Sequence, residues 1–388
     1  MASWKNSAIR LGHLIDTRFD RLRYGLKRRL GYDQPLQVVP YDGYGDAKTL
    51  FLGGRVLEDR GHGDSADQET LWNNLAASYR RFESDEVPGL RLQATFQGRS
   101  SETVTDEEGY FRFELPVVRP LDPTLQWHPV TLGVPPQAML KRQAPDPIHG
   151  RALVPSPACD LGIISDIDDT VLITGATRLL TMARLTFLRS PHTRLPFNGV
   201  AAFYRALRDG ATHPRPVFYV SSSPWNLYDF LVDFMALNQI PAGPLLLRDL
   251  GLPAQRASGS SHQAHKRAQI ERIMNTYPKL PFILIGDSGQ HDPEAYAQIV
   301  ATRARQVRAI YIRDVTQTPE RDRQIAALAK QTRLHDIDLL LVENTLQAAE
   351  HAARNGYINP ALLPSIRADN DRDAAPPGPV ERVVDEGD

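Results

Sequence analysis

The sequence contains a single cysteine, Cys159, among its 388 residues. One cysteine cannot form a disulfide within the chain or a thiolate zinc cluster, so disulfide scaffolds, zinc fingers and CxxC redox chemistry are excluded. Long apolar runs are missing as well. The most apolar window, residues 234–247, is interrupted by Asn238, Pro241 and Pro244, and it falls short of the roughly 18 residues that a membrane span needs. Because the N-terminus also lacks the apolar stretch of a secretory signal, we expect a cytoplasmic protein without transmembrane segments.

An excess of one charge is also missing, since 45 Lys and Arg residues face 46 Asp and Glu residues. Without a global positive field the chain is not expected to bind nucleic acid. Residues 1–34 are the one strongly basic segment, with eight basic and three acidic side chains. Apolar residues recur there every three or four positions, which predicts an amphipathic helix. This helix either docks on the rest of the protein or lies on an anionic membrane surface, where it would make the protein peripherally membrane-associated.

The pattern after this segment favours β-structure. Alternating apolar residues at 92–96 and 111–115, separated by a turn signal at 106–109, predict a hairpin. Residues 35–140 as a whole predict a small antiparallel β-sandwich with an accessory role. A helix with a capping box is predicted at 65–81 within this part.

Proline-rich stretches then mark a connection and a tail. Four prolines between residues 141 and 159 remove backbone donors, which predicts an extended linker there. Residues 160–366 are the predicted catalytic domain. Residues 367–388 are acidic and contain three prolines, and we expect this tail to be disordered because it cannot bury enough apolar surface.

The catalytic part contains six short apolar runs that alternate with helical stretches. Strands separated by helices predict an α/β fold, in which a parallel sheet is covered by helices on both faces. The runs are residues 161–164, 217–220, 245–247, 282–285, 307–312 and 337–342.

The first of these runs ends in three carboxylates, Asp166, Asp168 and Asp169. Like charges this close repel each other, so such a cluster persists when a cation neutralises it or a proton is shared. Strand alternation puts Asp166 and Asp168 on the same side, at the strand end where ligands of open α/β sheets bind. Asp166 is then a candidate nucleophile toward a metal-held phosphoryl group, and Asp168 a candidate general acid and base. Asp169 is expected to cap the next helix.

Two later strand ends carry polar groups of a related kind. Ser221 and Ser222 offer hydroxyls and backbone N–H groups near a helix start, which predicts an anion-binding site. Asp287 and Asp292 add two carboxylates beside glycines that let the backbone approach closely. Hard oxygen ligands of this sort suit Mg²⁺, and Lys266 is a candidate to balance the phosphoryl charge.

In this order, the Asp-x-Asp-x-Thr string at 166–170, the strand-end serine, the lysine and the Gly-Asp pair resemble the haloacid dehalogenase superfamily of phosphohydrolases. The resemblance implies a Rossmann-like parallel sheet. It implies that Asp166 becomes a phospho-aspartyl intermediate and that Asp168 is the acid and base. It also implies that Ser221 donates a hydrogen bond to the phosphoryl group and that Lys266 balances its charge. The implied metal ligands are Asp166, Asp168, Asp287 and Asp292, and the substrate-binding candidates are Thr170, Ser222 and Arg248.

A narrower resemblance rests on longer strings at residues 165–170, 196–199, 219–225 and 285–293. They resemble the catalytic domain of the actin-patch-type phosphatidate phosphatase family and of its bacterial relatives, over roughly residues 155–345 in all. This implies Mg²⁺-dependent hydrolysis of phosphatidate to diacylglycerol, and therefore a phospholipid substrate at a membrane surface. The long proline-rich extension of the fungal protein has no counterpart in this sequence, which leaves protein partners unknown.

The short spacing between the motifs predicts little or no cap over the site. About 50 residues separate Thr170 from Ser221 and about 45 separate Ser221 from Lys266, too few for both a crossover and a lid domain. An open site suits a headgroup that protrudes from a bilayer. The apolar helical stretch at 179–188, with arginines around it, predicts either a core-packed crossover helix or a lip for such a lipid.

Two other functions stay open at this point. In one, the same chemistry acts on a soluble phosphoester. In the other, residues 1–34 and the β-rich part form a lipid-surface or protein-binding module, and the phosphatase domain is accessory. An EF-hand is excluded, because Val171 stands where the loop needs glycine.

Overall fold

The computed structural model describes residues 35–58, 86–136, 146–167, 170, 199–248 and 262–374. The predictions for residues 1–34, for helices at 65–81 and 179–188, and for Asp168 and Asp169 therefore lie outside the described residues. The same holds for most of the connections in which a cap would lie. Within the described ranges, no helix is long and apolar enough to cross a membrane.

Eight strands form one mixed sheet in the N-terminal part. They are β1 Leu36–Pro40, β2 Gly43–Gly45, β3 Thr49–Glu58, β4 Arg91–Phe96, β5 Arg99–Val104, β6 Tyr110–Pro116, β7 Trp127–Gly133 and β8 Ile148–Leu153. Their order is β1-β3-β2-β8-β7-β4-β5, with β6 paired to β3. Alternate residues of β3, β4, β6 and β7 share one buried core, because period-two alternation places them on one face of each strand.

Hydrogen bonding joins these strands into one sheet instead of the two stacked sheets of the predicted sandwich. The short strand β2 makes the connection, since it pairs antiparallel with β3 and parallel with β8. Its glycines permit the close approach: a Cβ at Gly43 would lie 2.2 Å from the carbonyl oxygen of Phe51. A strand of three residues has too little alternation for a sequence pattern to reveal it.

Strand pairing also differs from the predicted hairpin. β4 pairs with β5, not with β6, and β6 pairs with β3. Gln97 and Gly98, between β4 and β5, have φ values of 51° and 79°, as a two-residue hairpin turn requires. The prediction was wrong because β5 has no buried side chains, so its sequence shows no apolar alternation.

The predicted linker is in part a strand. Ile148–Leu153 lies within residues 141–159 and pairs with β7 over its whole length. Pro147 and Pro155 flank this strand, so they remove none of its hydrogen bonds. The prolines thus lie on either side of a strand, although they were expected to mark an extended connection.

The second sheet has six strands, all parallel. They are β9 Gly162–Asp166, β10 Val217–Pro224, β11 Leu245–Arg248, β12 Phe282–Asp287, β13 Val307–Arg313 and β14 Asp338–Val342. The helices described around them are α1 Val200–Arg208, α2 Tyr228–Leu237, α3 His262–Thr276, α4 Asp292–Arg303, α5 Pro319–Arg333, α6 Thr345–Arg354 and α7 Leu363–Ala374. Helices α1, α2, α6 and α7 pack on one face, and α3, α4 and α5 on the other. The six apolar runs correspond to the six strands, which confirms the predicted parallel sheet with helices.

Helix α7 extends into the tail that was predicted to be disordered. The helix continues to Ala374, seven residues beyond Arg367. Ile366 is fully buried in the core, and Asp369 forms an ion pair with Arg205 at 3.2 Å. These contacts anchor residues whose composition alone predicts disorder.

The strand order of this sheet reverses next to β9. The order is β11-β10-β9-β12-β13-β14, so the chain runs outward from β9 to β11 and then returns to the other side of β9. Ligands of open α/β sheets bind at the carboxyl ends of the strands that flank such a point. A ligand of this sheet is therefore expected to bind at the ends of β9 and β12.

Candidate active site

Three buried carboxylates meet in the crevice between β9 and β12. Asp166 is the last residue of β9, Asp287 the last of β12, and Asp292 the first of α4. One oxygen of each lies within 4.8 Å of the others, and no member is more than 1% exposed. The structure thus brings together three of the four acids predicted to bind metal, whereas Asp168 lies outside the described residues.

The end of β12 and the turn that follows it allow Asp287 and Asp292 to lie close together. A Cβ at Gly286 would lie 2.4 Å from Oδ2 of Asp292. The backbone N–H of Asp287 donates to that same oxygen at 3.2 Å, and Oδ1 of Asp287 accepts a hydrogen bond from the N–H of Gln290 at 2.8 Å. Glycine is needed at position 286 because a larger residue would displace the Asp292 carboxylate from the Asp287 backbone and from Lys266.

Lys266 lies in α3, and its ammonium sits between two of the carboxylates. Nζ is 2.8 Å from Oδ1 of Asp166 and also contacts Oδ1 of Asp292. Burial by itself lowers the pKa of Lys266, but the charges of the two carboxylates outweigh burial and raise the pKa above its ordinary value. Lys266 is therefore a fixed positive charge beside the candidate nucleophile.

The charge and chemistry of this cluster fit a divalent metal ion. Three carboxylates and one ammonium leave a formal charge of −2 in a buried space, which is unfavourable without compensation. Carboxylate oxygens are the hard ligands that Mg²⁺ prefers. Asp166 and Asp287 would hold the ion. Asp292 already contacts Lys266 through one oxygen and the Asp287 backbone through the other, so it also orients both.

The end of β10 forms the neighbouring wall of the crevice. Val220 is the register partner of Asp166, so Ser221 lies one residue, and Ser222 two residues, beyond the level of Asp166. Oγ of Ser221 accepts a hydrogen bond from the N–H of Ser223 at 2.8 Å. The hydroxyl oxygen of Ser222 is buried and has no hydrogen-bond partner among the described residues. An unsatisfied buried hydroxyl at this point suits an anionic ligand.

The two other predicted substrate-binding residues lie at different distances from Asp166. Oγ1 of Thr170 donates to Oδ2 of Asp166 at 3.4 Å, so Thr170 belongs to the cluster. Arg248 is the last residue of β11, two strands from β9 and so about 10 Å away at the usual strand spacing. Arg248 lies at the same edge of the sheet but outside the carboxylate cluster.

Sequence reasoning missed the residue that holds the turn between Asp287 and Asp292. Arg321, in α5, donates through Nε to the carbonyl of Ser288 at 2.8 Å and through Nη2 to the carbonyl of Gln290 at 2.7 Å. Its guanidinium also pairs with both carboxylate oxygens of Glu294. Nothing in the sequence distinguishes Arg321 from the other charged residues of this polar helix, so only its contacts identify it.

Replacing Arg321 with Met is expected to weaken Mg²⁺ binding by about 10–100-fold, the usual effect of removing a group that orients metal ligands. The two carbonyls and Glu294 would lose their common donor, and the turn carrying Asp287 would lose its attachment to α5. Calorimetric titration with Mg²⁺ measures this directly. Arg323→Met is the matched control, because Arg323 is exposed on the same helix. Equal Mg²⁺ affinity in the two variants would contradict the assignment.

Two further groups at this edge were also not anticipated. Oγ of Ser165 donates to the carbonyl of Asp166 at 2.7 Å and lies 2.7 Å from the hydroxyl of Tyr204, which fixes the strand end that carries the candidate nucleophile. Arg313 is the register partner of Asp287. Burial lowers the pKa of Arg313 to about 9. Because this pKa is still above neutral pH, Arg313 is a second cation at the carboxyl edge of the sheet.

Comparison with known proteins finds a family model that matches the part of the chain containing this cluster. Residues 161–314 match the family described as phosphatidate phosphatase APP1, catalytic domain. The matched segment begins immediately before β9 and ends immediately after β13. It therefore contains all four members of the carboxylate and lysine cluster.

Two curated fungal proteins resemble the same part of the chain. Phosphatidate phosphatase APP1 of Saccharomyces cerevisiae is 34% identical over 170 residues, which are 42% of this chain and 28% of the yeast protein. An uncharacterized protein of Schizosaccharomyces pombe is 31% identical over 157 residues, which are 40% of this chain and 25% of that protein. The chain thus spans only 25–28% of the length of these relatives.

Similarity to solved structures adds no evidence about the fold or function of this chain. A carbohydrate acetylesterase from Xanthomonas citri aligns over 74% of this chain and 72% of its own, at 12% identity and a TM-score of 0.24. A score this low supports no argument about fold or function.

Proposed function

We propose that this protein is a Mg²⁺-dependent phosphatidate phosphatase of the haloacid dehalogenase type, which hydrolyses phosphatidate to diacylglycerol and phosphate. The observation that carries the proposal is the buried cluster of Asp166, Asp287, Asp292 and Lys266. It lies at the topological switch point and within the segment that matches the APP1 catalytic domain. The cluster combines a nucleophile, a fixed cation and hard metal ligands in one crevice.

In the first step, a carboxylate oxygen of Asp166 attacks the phosphorus atom of the substrate. Lys266 and Thr170 each contact one oxygen of Asp166, so both hold the carboxylate in one orientation. The bond between phosphorus and the glycerol oxygen breaks, and its electron pair stays on that oxygen. Asp168, two residues after the nucleophile, gives this oxygen a proton, which releases diacylglycerol and leaves a phospho-aspartyl group on Asp166.

In the second step, a water molecule attacks the phosphorus atom of the phospho-aspartyl group. The Asp168 carboxylate removes a proton from this water, and the bond between phosphorus and the Asp166 oxygen breaks. Inorganic phosphate leaves, and both aspartates return to their starting state. Ser221, Ser222 and Lys266 stabilise the charge on the phosphoryl oxygens in both steps.

Bound Mg²⁺ would supply charge neutralisation for the phosphoryl group. Asp166 and Asp287 would hold the ion, and the Asp168 backbone carbonyl is the third protein ligand we propose. Arg321 keeps the Asp287 turn in place, and Asp292 fixes Lys266 at the distance at which it balances the phosphoryl charge. The proposed substrate lies in a bilayer, so we also propose that the protein works as a peripheral protein at the membrane surface.

Substrate class is tested by comparing phosphate release from phosphatidate in mixed micelles with release from glycerol 3-phosphate, at the same Mg²⁺ concentration. We expect kcat/KM to be at least about tenfold higher for phosphatidate. A tenfold preference corresponds to about 1.4 kcal/mol, which contacts with the lipid part of the substrate would have to supply. A preference for the soluble ester would overturn the lipid assignment and favour a phosphohydrolase of small molecules.

A further inference from the structure

A cavity of about 310 Å³ lies between the N-terminal sheet and the parallel sheet. One wall is formed by Tyr44, Phe51 and Gly53 of the N-terminal sheet, and the other by the edge strand β11 and by α3. The volume falls at the lower end of the range of small-molecule sites, which often form where two structural units meet. Size and position therefore mark it as a candidate binding site.

The cavity adjoins the active-site end of the parallel sheet. Trp225 lines it and directly follows the serine-rich end of β10. His265 also lines it and directly precedes Lys266. Two of the segments that build the crevice around Asp166 thus continue into the walls of the cavity.

Contacts between the two sheets hold these walls in place. Tyr41 stacks on Trp225, with ring centroids 4.9 Å apart and planes inclined by 3°. The hydroxyl of Tyr277 donates to the carbonyl of Gly45 at 2.8 Å, and the N–H of Asp42 donates to the hydroxyl of Tyr228 at 2.6 Å. Such contacts preform the cavity, so a ligand does not have to open it.

The lining combines an apolar surface, which suits a hydrocarbon chain, with charged groups. Aromatic and aliphatic side chains of Phe51, Trp225 and Leu246 supply apolar surface. The guanidinium of Arg272 lies 5.3 Å from the ring centre of Phe51 and 6.0 Å from that of Tyr44, which places a positive charge at the edge of this surface. Asp42, Arg112 and Glu114 are further charged side chains of the lining, so the apolar surface, and not the charge, is what matches an acyl chain.

We propose that this cavity binds an acyl chain of the phospholipid whose phosphate reacts at Asp166. The proposal rests on the proposed function and deepens it, because it assigns the recognition of the lipid tail to the junction between the two sheets. The N-terminal sheet then has a direct role in substrate selection. Each additional methylene that leaves water contributes about fourfold to binding, so the cavity makes kcat/KM depend on chain length.

Gly53 offers a way to fill the cavity without rebuilding its walls. It lies on the same face of β3 as Phe51, and a Cβ there would meet only the carbonyl oxygen of Phe111, at 3.4 Å. Gly53→Phe therefore projects a ring into the cavity. Gly133→Phe is the matched control: Gly133 lies in β7, does not line the cavity, and a Cβ there would meet no atom within 4 Å. Gln269→Trp, from α3, is a second filling variant in case Gly53→Phe does not fold.

The measured quantity is kcat/KM for monomeric dibutyryl, dihexanoyl and dioctanoyl phosphatidate, each divided by the value for glycerol 3-phosphate. In the wild type and Gly133→Phe this ratio is expected to rise by up to about 15-fold with each step, because each step adds two methylenes to the bound chain. In Gly53→Phe and Gln269→Trp we expect the rise to be lost and the dioctanoyl ratio to fall by at least about tenfold. An unchanged chain-length dependence in both filling variants would overturn the proposal while leaving the phosphatidate phosphatase assignment intact.

A binding measurement separates the cavity from the reaction. Fluorescence titration with a parinaroyl lysophosphatidate, using Asp166→Asn protein to prevent turnover, reports occupancy of an apolar site. Saturable binding that Gly53→Phe abolishes and Gly133→Phe retains supports the proposal, even if the wild type prefers soluble esters and the proposed function fails. No saturable binding, or equal binding in all variants, overturns it.

Discussion

Phosphate release is expected to fall by at least about 10⁴-fold when Asp166 is replaced with Asn, as happens when a covalent nucleophile is removed. The amide has nearly the shape of the carboxylate, and the side chain is fully buried, so the change removes charge and nucleophilicity with little change in volume. The substitution leaves Lys266 paired with Asp292. We therefore expect the variant to stay folded. Single-turnover release of phosphate at saturating Mg²⁺ measures the loss.

Acid quenching with ³²P-labelled substrate tests the same role by a second route. The wild type should retain label on the protein during turnover, and the Asp166→Asn protein should retain none. Asp314→Asn is the matched control, because Asp314 follows β13 at the same edge of the sheet and is outside the carboxylate cluster. Labelled Asp166→Asn protein, or an undiminished rate, would show that another group attacks phosphorus.

The parallel sheet was predictable because its strands are buried on both faces. β9 and β12 are buried at every position, so their sequences are continuous apolar runs that end abruptly in acids. Parallel strands place their carboxyl ends at one edge. That rule alone brings Asp166 and Asp287 near each other without any knowledge of the loops. The position of the candidate site thus follows from strand patterning and from topology.

The N-terminal sheet was less predictable because its pairing depends on strands that carry little pattern. β5 is polar on both faces, β2 has three residues, and β8 lies between prolines.

Contacts between residues that are far apart in the sequence could not be predicted either. Arg321 is 34 residues from Asp287, and the crossing of α5 over the turn decides that the two belong to one site.

Removing Lys266 is expected to cause a large loss of stability. Lys266→Met leaves Asp166 and Asp292 buried without their common partner, and breaking a buried ion pair from one side costs about 3–5 kcal/mol. Urea unfolding of the Mg²⁺-free protein measures the difference. Lys279→Met is the control for loss of a positive charge, since Lys279 is exposed just beyond the same helix. A Lys266→Met protein as stable as the control would show that the buried carboxylates do not depend on the ammonium.

Two additions to this experiment separate charge balance from packing. The cluster in Lys266→Met carries a formal charge of −3 where the wild type carries −2. Mg²⁺ should therefore raise the Tm of the variant by more than it raises that of the wild type, because the stabilisation that a ligand gives increases with its affinity for the folded state. Combining Lys266→Met with Asp292→Asn removes one of the orphaned charges, so the double variant should recover part of the lost stability. If packing of the lysine stem were the cause, Mg²⁺ would raise the Tm of the variant no more than that of the wild type, and the second substitution would restore no stability. Activity should stay low in both variants, since the cation beside Asp166 is missing from each.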